Sequence, residues 1–475
     1  MQRPRTNSAQ PATRAARNGG VSFWYAATEL PGRRLPLQGG AAVDVCIVGG
    51  GFTGLWTAYY LKRAQPNLEI AMIERDFAGF GASGRNGGWL SSSYNGSRDA
   101  MAHTHGRDAV VAMSRAMQET VDEVLRVCDA EGIGADQVKN GLLLVARSPA
   151  QAARQKAAIA DARRWLPEPD ADLVLLDAAE VRERVRVEQT HAGVWSPHAA
   201  RVQPAKLVQG LASAVERLGV VIYEGTTATE VTPGRVDTDR GTVRADHVLT
   251  CLEGFTAGLR GERRTWLPLN SAMIATEPLS EDRWRKIGWA SAELLGDGAH
   301  AYMYSQRTAD GRIALGGRGV PYRFGSRTDH DGRTQPATIK QLISTLHATF
   351  GEPVRDVKID HAWCGVLGVP RDWSPIVTLD RETGLGRAGG YVGSGVATTN
   401  LAGRTLCDLV LGHDTELVRL PWVGRRPRRW EPEPLRFFGS RLVYGMYRAA
   451  DRRETASGAA GDSRLAGFAS WLSGR

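Results

Sequence analysis

Three glycines at a fixed spacing are the first residues whose type and order imply chemistry. Gly49, Gly51 and Gly54 form a G-x-G-x-x-G pattern, with Phe52 and Thr53 before the last glycine. In such a pattern the first glycine permits a tight turn. The second lets the backbone approach a pyrophosphate, and the third lets a helix pack closely on a strand. A carboxylate, Glu74, follows twenty residues after Gly54, with Arg75 beside it. An acid at that distance can accept both hydroxyl protons of a ribose, and its charge disfavours a 2′-phosphate. The combination points to a dinucleotide.

Two more glycine-dense stretches separate a flavin dinucleotide from a nicotinamide one. Gly79 to Trp89 contains Gly81, Ala82, Ser83, Gly84, Arg85, Asn86, Gly87 and Gly88. So many unshielded backbone N–H groups suit a second contact to the pyrophosphate and to an extended ring. Nearer the C-terminus, Gly389 to Val396 precedes an apolar segment, Leu401 to Leu411. A glycine-rich entry to a helix N-terminus makes an anion site. In a flavoenzyme it would face the pyrimidine end of the ring, where the helix dipole favours the negative charge that reduction places there.

These residues need elements to position them. Val43 to Val48 reads as a strand buried on both faces, Leu55 to Lys62 as a helix, and Leu68 to Glu74 as a second strand. Together they make a βαβ unit of the size a dinucleotide site requires. Farther along, 107–132, 149–165 and the segment from Pro204 read as helices. Leu207, Leu211, Val215 and Leu218 recur at helical spacing in the last of these. Residues 140–145, 220–223, 229–231, 242–244 and 246–250 read as strands. His300 to Gln306 and Arg312 to Gly317 bracket an Asp310-Gly311 turn, as in an antiparallel hairpin. Parallel αβ segments therefore alternate with antiparallel ones.

Composition narrows the classes. The 475 residues suggest two to four domains or one large composite unit. Hydrophobic residues at 42% and charged residues at 23% exclude extended disorder as the main state. No stretch is apolar enough for a membrane helix, and the start lacks the apolar core of a secretory signal. The net charge of +9 sits at the ends. Residues 1–40 carry six Arg and one Glu, residues 416–475 twelve Arg and six acids, so 41–415 come to about −2. A near-neutral body excludes a basic nucleic-acid groove. Five scattered cysteines without a CxxC pair exclude a disulfide scaffold and fit a reducing, cytoplasmic setting. No metal-ligand spacing and no Ser/His/Asp arrangement competes with a dinucleotide site.

The chain resembles the D-amino-acid-oxidase-type (DAO) superfamily of FAD-dependent oxidoreductases, near the branch of the γ-glutamylputrescine oxidases and related amine oxidoreductases. The resemblance covers residues 21 to 440. It rests on Phe23-Trp24-Tyr25, Ile47 to Leu61, Gly81 to Gly88, Ala245 to Val248 and Gly390 to Gly395. It implies an α/β (α+β overall) fold, with a Rossmann-like FAD-binding domain of discontinuous segments beside an antiparallel-sheet substrate domain. Residues 1–20 would be a disordered basic arm. The FAD domain would take 21–105, 191–262 and 352–415, and the substrate domain 106–190 and 263–351. Residues 416–475 would form a C-terminal surface extension.

The resemblance also implies non-covalent FAD. Glu74 would hold the adenosine ribose and Val231 would lie by the adenine. Ser83, Arg85, Asn86 and Gly87 would line the pyrophosphate and flavin, and Gly393, Ser394, Gly395, Val396 and Ala397 would meet the ring. The implied reaction moves a hydride from the α C–H of an amine or amino acid to flavin N5. The imine so formed hydrolyses, and oxygen or another acceptor takes the electrons. Two departures stand out: Ser394 occupies a position where close amine oxidases carry His, and the third FAD strand ends Thr250-Cys251-Leu252-Glu253-Gly254 rather than Ala-Thr-Asn/Gly. Some relatives tether flavin near Cys364, whose surroundings here differ.

Pocket residues are expectations. Tyr302 and Tyr304, with His300, would share one face of a strand over the flavin. Arg318 would hold a carboxylate, Trp363 would form a pocket wall, and His198 is a weaker base candidate. Surface aromatics, a structural ion pair, a core tryptophan and a loop histidine are the respective alternatives. Two other functions stay open. One is a flavin dehydrogenase of a hydroxy acid or alcohol. The other is a flavin-bearing, non-catalytic assembly subunit, which the Arg-rich stretch between Trp422 and Trp430 would serve. Oligomeric state is not fixed by these residues.

Overall fold

The computed structural model describes residues 16–317, 322–328, 331–426, 428–458, 461 and 463–474. Arg318 lies outside the described residues. Two large sheets organise the chain.

In the first sheet five strands run parallel, in the order Leu385–Gly389, Gly241–Thr250, Ala41–Val48, Ile70–Ile73 and Val221–Tyr223. Val45 to Val48 and Ile70 to Ile73 are buried along their whole length. Such burial on both faces is what a parallel sheet covered by helices requires. Helices Phe52–Ala64, Arg107–Glu131, Pro204–Arg217 and Gly395–Leu411 share one apolar core with the strands. Pro204 starts its helix at the first turn, and Leu207, Leu211 and Val215 are fully buried on it. The Ala228–Thr232 and Arg235–Thr238 hairpin and the strand Ile376–Leu379 extend the sheet in antiparallel fashion.

The second sheet has nine strands. Its order is Arg17–Asn18, Ile359–Val369, Leu267–Thr276, Ile313–Gly317, Met303–Arg307, Leu294–Asp297, Leu142–Ala146, Ala192–Ser196 and Val174–Asp177. All its pairings are antiparallel except Arg17–Asn18 with His361–Ala362 and Leu294–Asp297 with Leu142–Ala146. The helix Pro336–Phe350 packs on this sheet over Leu342, Leu346 and Phe350. The parallel strands with their helices thus centre one sheet, and antiparallel pairing dominates the other.

Sheet pairing cuts across the segment boundaries drawn from sequence. Ala192–Ser196 and Ile359–Val369, placed there with the FAD unit, hydrogen-bond in the antiparallel sheet. The helix Arg107–Glu131, placed with the substrate unit, buries Val110, Met117, Val121 and Val124 against the helices of the parallel sheet. Arg17–Asn18, inside the expected arm, is an edge strand. The segment from 416 buries Trp422 and Trp430 and ends in two helices, Leu435–Ser457 and Arg464–Ser473.

The hairpin also begins later than its alternation implies. Its first strand is Met303–Arg307, so His300 and Tyr302 precede it. The Asp297 carboxylate accepts from Met303 N at 3.0 Å, and Asp451 accepts from His300 N and Ala301 N at 2.9 and 3.0 Å. These bonds hold residues 299–301 in a loop. Among the described residues, no helix is long and apolar enough to cross a membrane.

Candidate functional site

The site lies at the carboxyl ends of the parallel strands, where open α/β sheets bind ligands. The strand Ala41–Val48 runs into Gly49, whose φ of +114° favours glycine. A Cβ on Gly49 would stand 2.6 Å from Cys251 O on the neighbouring strand end. A Cβ on Gly54 would stand 2.3 Å from Gly49 O and 2.9 Å from Ile47 Cγ2, so here the helix presses directly on the strand. Gly51 is the N-cap of the helix Phe52–Ala64 and supplies no side chain to its first-turn amides. Ser83 Oγ accepts from Phe52 N at 2.8 Å and thereby fastens the second glycine stretch to the first.

Glu74 ends the second strand. Its carboxylate accepts from Gly50 N and Asp76 N, both at 2.9 Å. Burial pushes its pKa up to about 7, against the pull of those two amides. The side chain is therefore fixed in direction and sits at a pH where its charge is adjustable.

The loop from Gly81 to Asn86 makes a 3-10 turn over Ala82–Gly84. Three consecutive carbonyls of this loop are each held by a distant side chain. Ser22 Oγ donates to Gly84 O at 2.8 Å, Trp363 Nε1 to Arg85 O at 2.8 Å, and Trp24 Nε1 to Asn86 O at 2.7 Å. Asn86 folds back on its own loop, donating to Ser83 O at 2.8 Å and accepting from Gly88 N at 2.8 Å. Trp24→Phe removes one donor and leaves a partly buried carbonyl unpaired, at a cost of about 1–3 kcal/mol. The expected result is faster flavin release on heating with an otherwise normal far-UV spectrum. Release at the wild-type rate would show that the Trp24 indole does not support the loop.

The third wall comes from Cys251 to Phe255 and from the loop Gly389–Ser394. Gly389, Gly390, Val392 and Gly393 all have positive φ, which explains the glycine content of this loop. Glu253, itself at φ +46°, accepts from Gly390 N at 2.7 Å, Gly368 N at 3.2 Å and Tyr391 N at 3.3 Å. Burial pushes its pKa up to about 7 against those amides. Tyr391 is buried, which raises its pKa well above the ordinary phenol range, and its hydroxyl lies 3.0 Å from Thr53 Oγ1. That pair joins the glycine turn at Gly49 to the entry of the helix Gly395–Leu411. Ser394 is the N-cap of that helix and accepts from Asn95 Nδ2 at 3.1 Å.

These walls enclose a cleft of about 1240 Å³, counted out to its mouth. Of the residues singled out in the sequence, Gly49, Gly51, Phe52, Thr53, Glu74, Arg75, Gly81, Ala82, Ser83, Asn86, Gly393, Gly395 and Val396 line it. Gly54 lies behind it, in the helix–strand contact. Gly87 lies under the Tyr304 ring, and Gly88 against Gln306 and Val202 O. Ala397 is buried among the core residues of the parallel sheet. Val231 packs with Val236 and Val243, while Thr226, Thr227 and Ala228 form the wall instead. Arg85 turns away from the cleft: it is buried, donates through Nε to Phe80 O at 2.7 Å, and lies 4.3 Å from the Phe80 ring centroid.

The expected pocket residues separate. Trp363 is fully buried behind the loop it anchors. Tyr302 lines a different hollow, with Arg147, Asp297 and Gln341. Tyr304 touches the glycine loop without lining the cleft. Its ring packs on Gly87 and its hydroxyl lies 2.9 Å from Ser271 Oγ. His198 bonds Asp172 at 2.7 Å beside a third hollow lined by Ser91 to Tyr94. His300 is held by Glu454 at 3.0 Å and stacks on Tyr447. Cys364 faces the apolar cluster around Leu342 and donates to Arg333 O at 3.3 Å, so its thiol does not line the cleft.

Glu253 entered the sequence analysis only within the departing strand end Thr250 to Gly254, and Tyr391 only within Gly390 to Gly395; neither was given a role of its own. That departure was the signal for Glu253, an acid three residues past the end of the strand Gly241–Thr250.

An extended cleft, two helix N-termini, a directed carboxylate and glycine positions that exclude side chains fit a flavin dinucleotide. The chain belongs to the DAO family of FAD-dependent oxidoreductases: the profile described as FAD dependent oxidoreductase matches residues 44–409. It is an FAD enzyme of that family. Among curated relatives it is 30% identical over 408 residues to the γ-glutamylputrescine oxidoreductase of Escherichia coli (strain K12), covering 81% of this chain and 89% of that one. It is 24% identical to the glycine oxidase of Geobacillus kaustophilus (strain HTA426), over 80% of this chain and 96% of that one. In fold it is similar to the L-proline dehydrogenase of P. horikoshii, with a TM-score of 0.66 and 17% identity over 82% of this chain and 98% of that one.

Proposed function

We propose that the chain oxidises an amine or an amino acid, with FAD held non-covalently in the cleft described above. One observation carries the placement. The Gly49–Gly54 turn, the Glu74 carboxylate and the N-terminus of Gly395–Leu411 open onto one continuous cleft at the strand ends. In this reading the amides at Gly51 and Thr53 face the pyrophosphate. Glu74 accepts from the ribose hydroxyls, and Gly81 to Asn86 supports the flavin end. The first turn at Gly395 and Val396 faces the polar edge of the ring, where its dipole favours negative charge. FAD, when bound, supplies the two-electron acceptor.

The protein's part is orientation and exclusion of water. Tyr304, seated on Gly87 and bonded to Ser271, forms a rigid wall of the substrate side. Ser394 and Asn95 offer polar contacts next to the helix entry. The named activities of relatives, on γ-glutamylputrescine and on glycine, support nitrogen-bearing substrates over hydroxy acids.

Anaerobic mixing of the holoenzyme with a panel of primary amines, secondary amines, amino acids and 2-hydroxy acids tests the substrate class. The expected result is loss of the oxidised flavin absorbance with at least one nitrogen compound. Reduction by hydroxy acids alone would overturn it, as would a flavin that no compound reduces. Oxygen uptake on any hit then distinguishes oxygen from another electron acceptor.

A further inference from the structure

The exposed large apolar side chains of this chain are concentrated in one place. Six of the ten among the described residues, Phe324, Leu435, Phe438, Leu442, Phe468 and Trp471, lie on or against the two C-terminal helices. They include every exposed Phe or Trp of the described residues, and Trp471 is 74% exposed. Leu435, Phe438 and Leu442 recur at i, i+3 and i+7, so they share one face of the helix Leu435–Ser457. Its inward face is already filled. Val443, Met446, Tyr447 and Ala450 pack on Ala466 and Ala469 of the second helix. Phe437 links Phe324 and Phe438, with ring centroids 5.5 Å from each, and Phe468 stacks on Trp471 at 5.7 Å. An apolar stripe that runs past the filled contact into solvent implies a second contact outside the fold.

The charge around this face says what kind of contact. Residues 435–475 contain seven Arg and three acids. Of the acids, Asp451 and Glu454 are turned inward, onto the 300–301 amides and onto Arg154 and His300. Arg441, Arg452, Arg453 and Arg464 are exposed and carry no ion pair among the described residues. A second copy docked through the same face would set one net-cationic surface against another, and like charges at close range oppose association.

We propose that this face docks peripherally on an anionic membrane surface. The Phe, Leu and Trp side chains enter the boundary between headgroups and acyl chains, and the arginines pair with anionic headgroups. The contact lies in the interface plane.

Co-sedimentation of the holoenzyme with vesicles tests this. One set is phosphatidylcholine alone, the other phosphatidylcholine mixed with phosphatidylglycerol. The expected result is pelleting with the mixed vesicles, at least about tenfold stronger than with the neutral ones, and reversed by high salt. Two variants probe the two halves of the face. Phe438→Ser with Phe468→Ser and Trp471→Ser, and separately Arg441→Gln with Arg452→Gln and Arg453→Gln, should each lose pelleting while keeping flavin content and turnover. Absence of wild-type pelleting with anionic vesicles would overturn the proposal. So would pelleting of both variants at the wild-type level. So would a wild-type dimer that the aromatic variant converts to a monomer without any vesicle binding, which would assign the face to a second copy.

Discussion

Gly51→Val is expected to fold and to purify without flavin. A Cβ on Gly51 would meet only the Ser83 hydroxyl, at 3.0 Å, and nothing else within 4 Å. That one contact is a side-chain hydroxyl, which must shift by a few tenths of an ångström, while no backbone stands in the way. The space the valine takes is the approach to the first-turn amides of the helix Phe52–Ala64, and a branched side chain there keeps a pyrophosphate from those amides. Gly54→Val behaves differently. Its Cβ would collide with Gly49 O at 2.3 Å, which is backbone and cannot move aside cheaply. That variant should lose both fold and flavin. Absorbance at the flavin band and circular dichroism separate the two: Gly51→Val colourless with a native spectrum, Gly54→Val poorly folded. A fully loaded yellow Gly51→Val would refute the phosphate cradle.

The second large effect belongs to Glu253. Its carboxylate gathers the N–H groups of Gly368, Gly390 and Tyr391, which come from two different segments. Glu253→Leu leaves all three without that acceptor. At about 1–3 kcal/mol for each unsatisfied group, and with imperfect additivity, the loss should reach roughly 3–6 kcal/mol. Denaturant unfolding of the apoprotein measures it, and a loss below about 1 kcal/mol would contradict the role. The pH dependence has a definite sign. The folded pKa of Glu253, about 7, lies above the ordinary carboxylate value of 4.5. Between those limits the folded state holds a proton that the unfolded state releases. This contribution to apoprotein stability is fully present below about pH 4.5, is lost as pH rises towards 7, and is constant above it. Glu253→Gln should remove that slope.

The FAD half of the molecule was legible because its signals are local. Glycine spacing, the apolar runs on either side and the acid at the next strand end all fall within Val43 to Glu74, and they settle a βαβ unit without help from distant contacts. The antiparallel sheet was legible in kind but not in membership. Ile359–Val369 is as apolar as a parallel strand, and only its pairing with Leu267–Thr276 places it.

The misplacements share one cause, which is side-chain direction set by long-range partners. Trp363 points at Arg85 O, 278 residues away in sequence, and Trp24 at Asn86 O, 62 residues away. No local periodicity carries that information. Arg85 looks cationic and available in a glycine loop, yet the aromatic face of Phe80 and two carbonyls draw it into the interior. The alternation of His300, Tyr302 and Tyr304 was real in the sequence, but Asp297 and Asp451 capture the backbone amides around 300 and delay the strand to Met303.

The most direct measurement is titration of the apoprotein with FAD across pH, for the wild type and for Glu74→Gln. Glu74 in the empty cleft has a pKa of about 7, and accepting from the ribose hydroxyls requires the carboxylate. Wild-type affinity should be level above about pH 7 and fall below it, by at most about tenfold per pH unit. Glu74→Gln should bind more weakly at high pH, by about 1–3 kcal/mol, with a flat profile. Equal affinities with the same pH profile for both proteins would contradict the assignment of this cleft and its carboxylate to FAD.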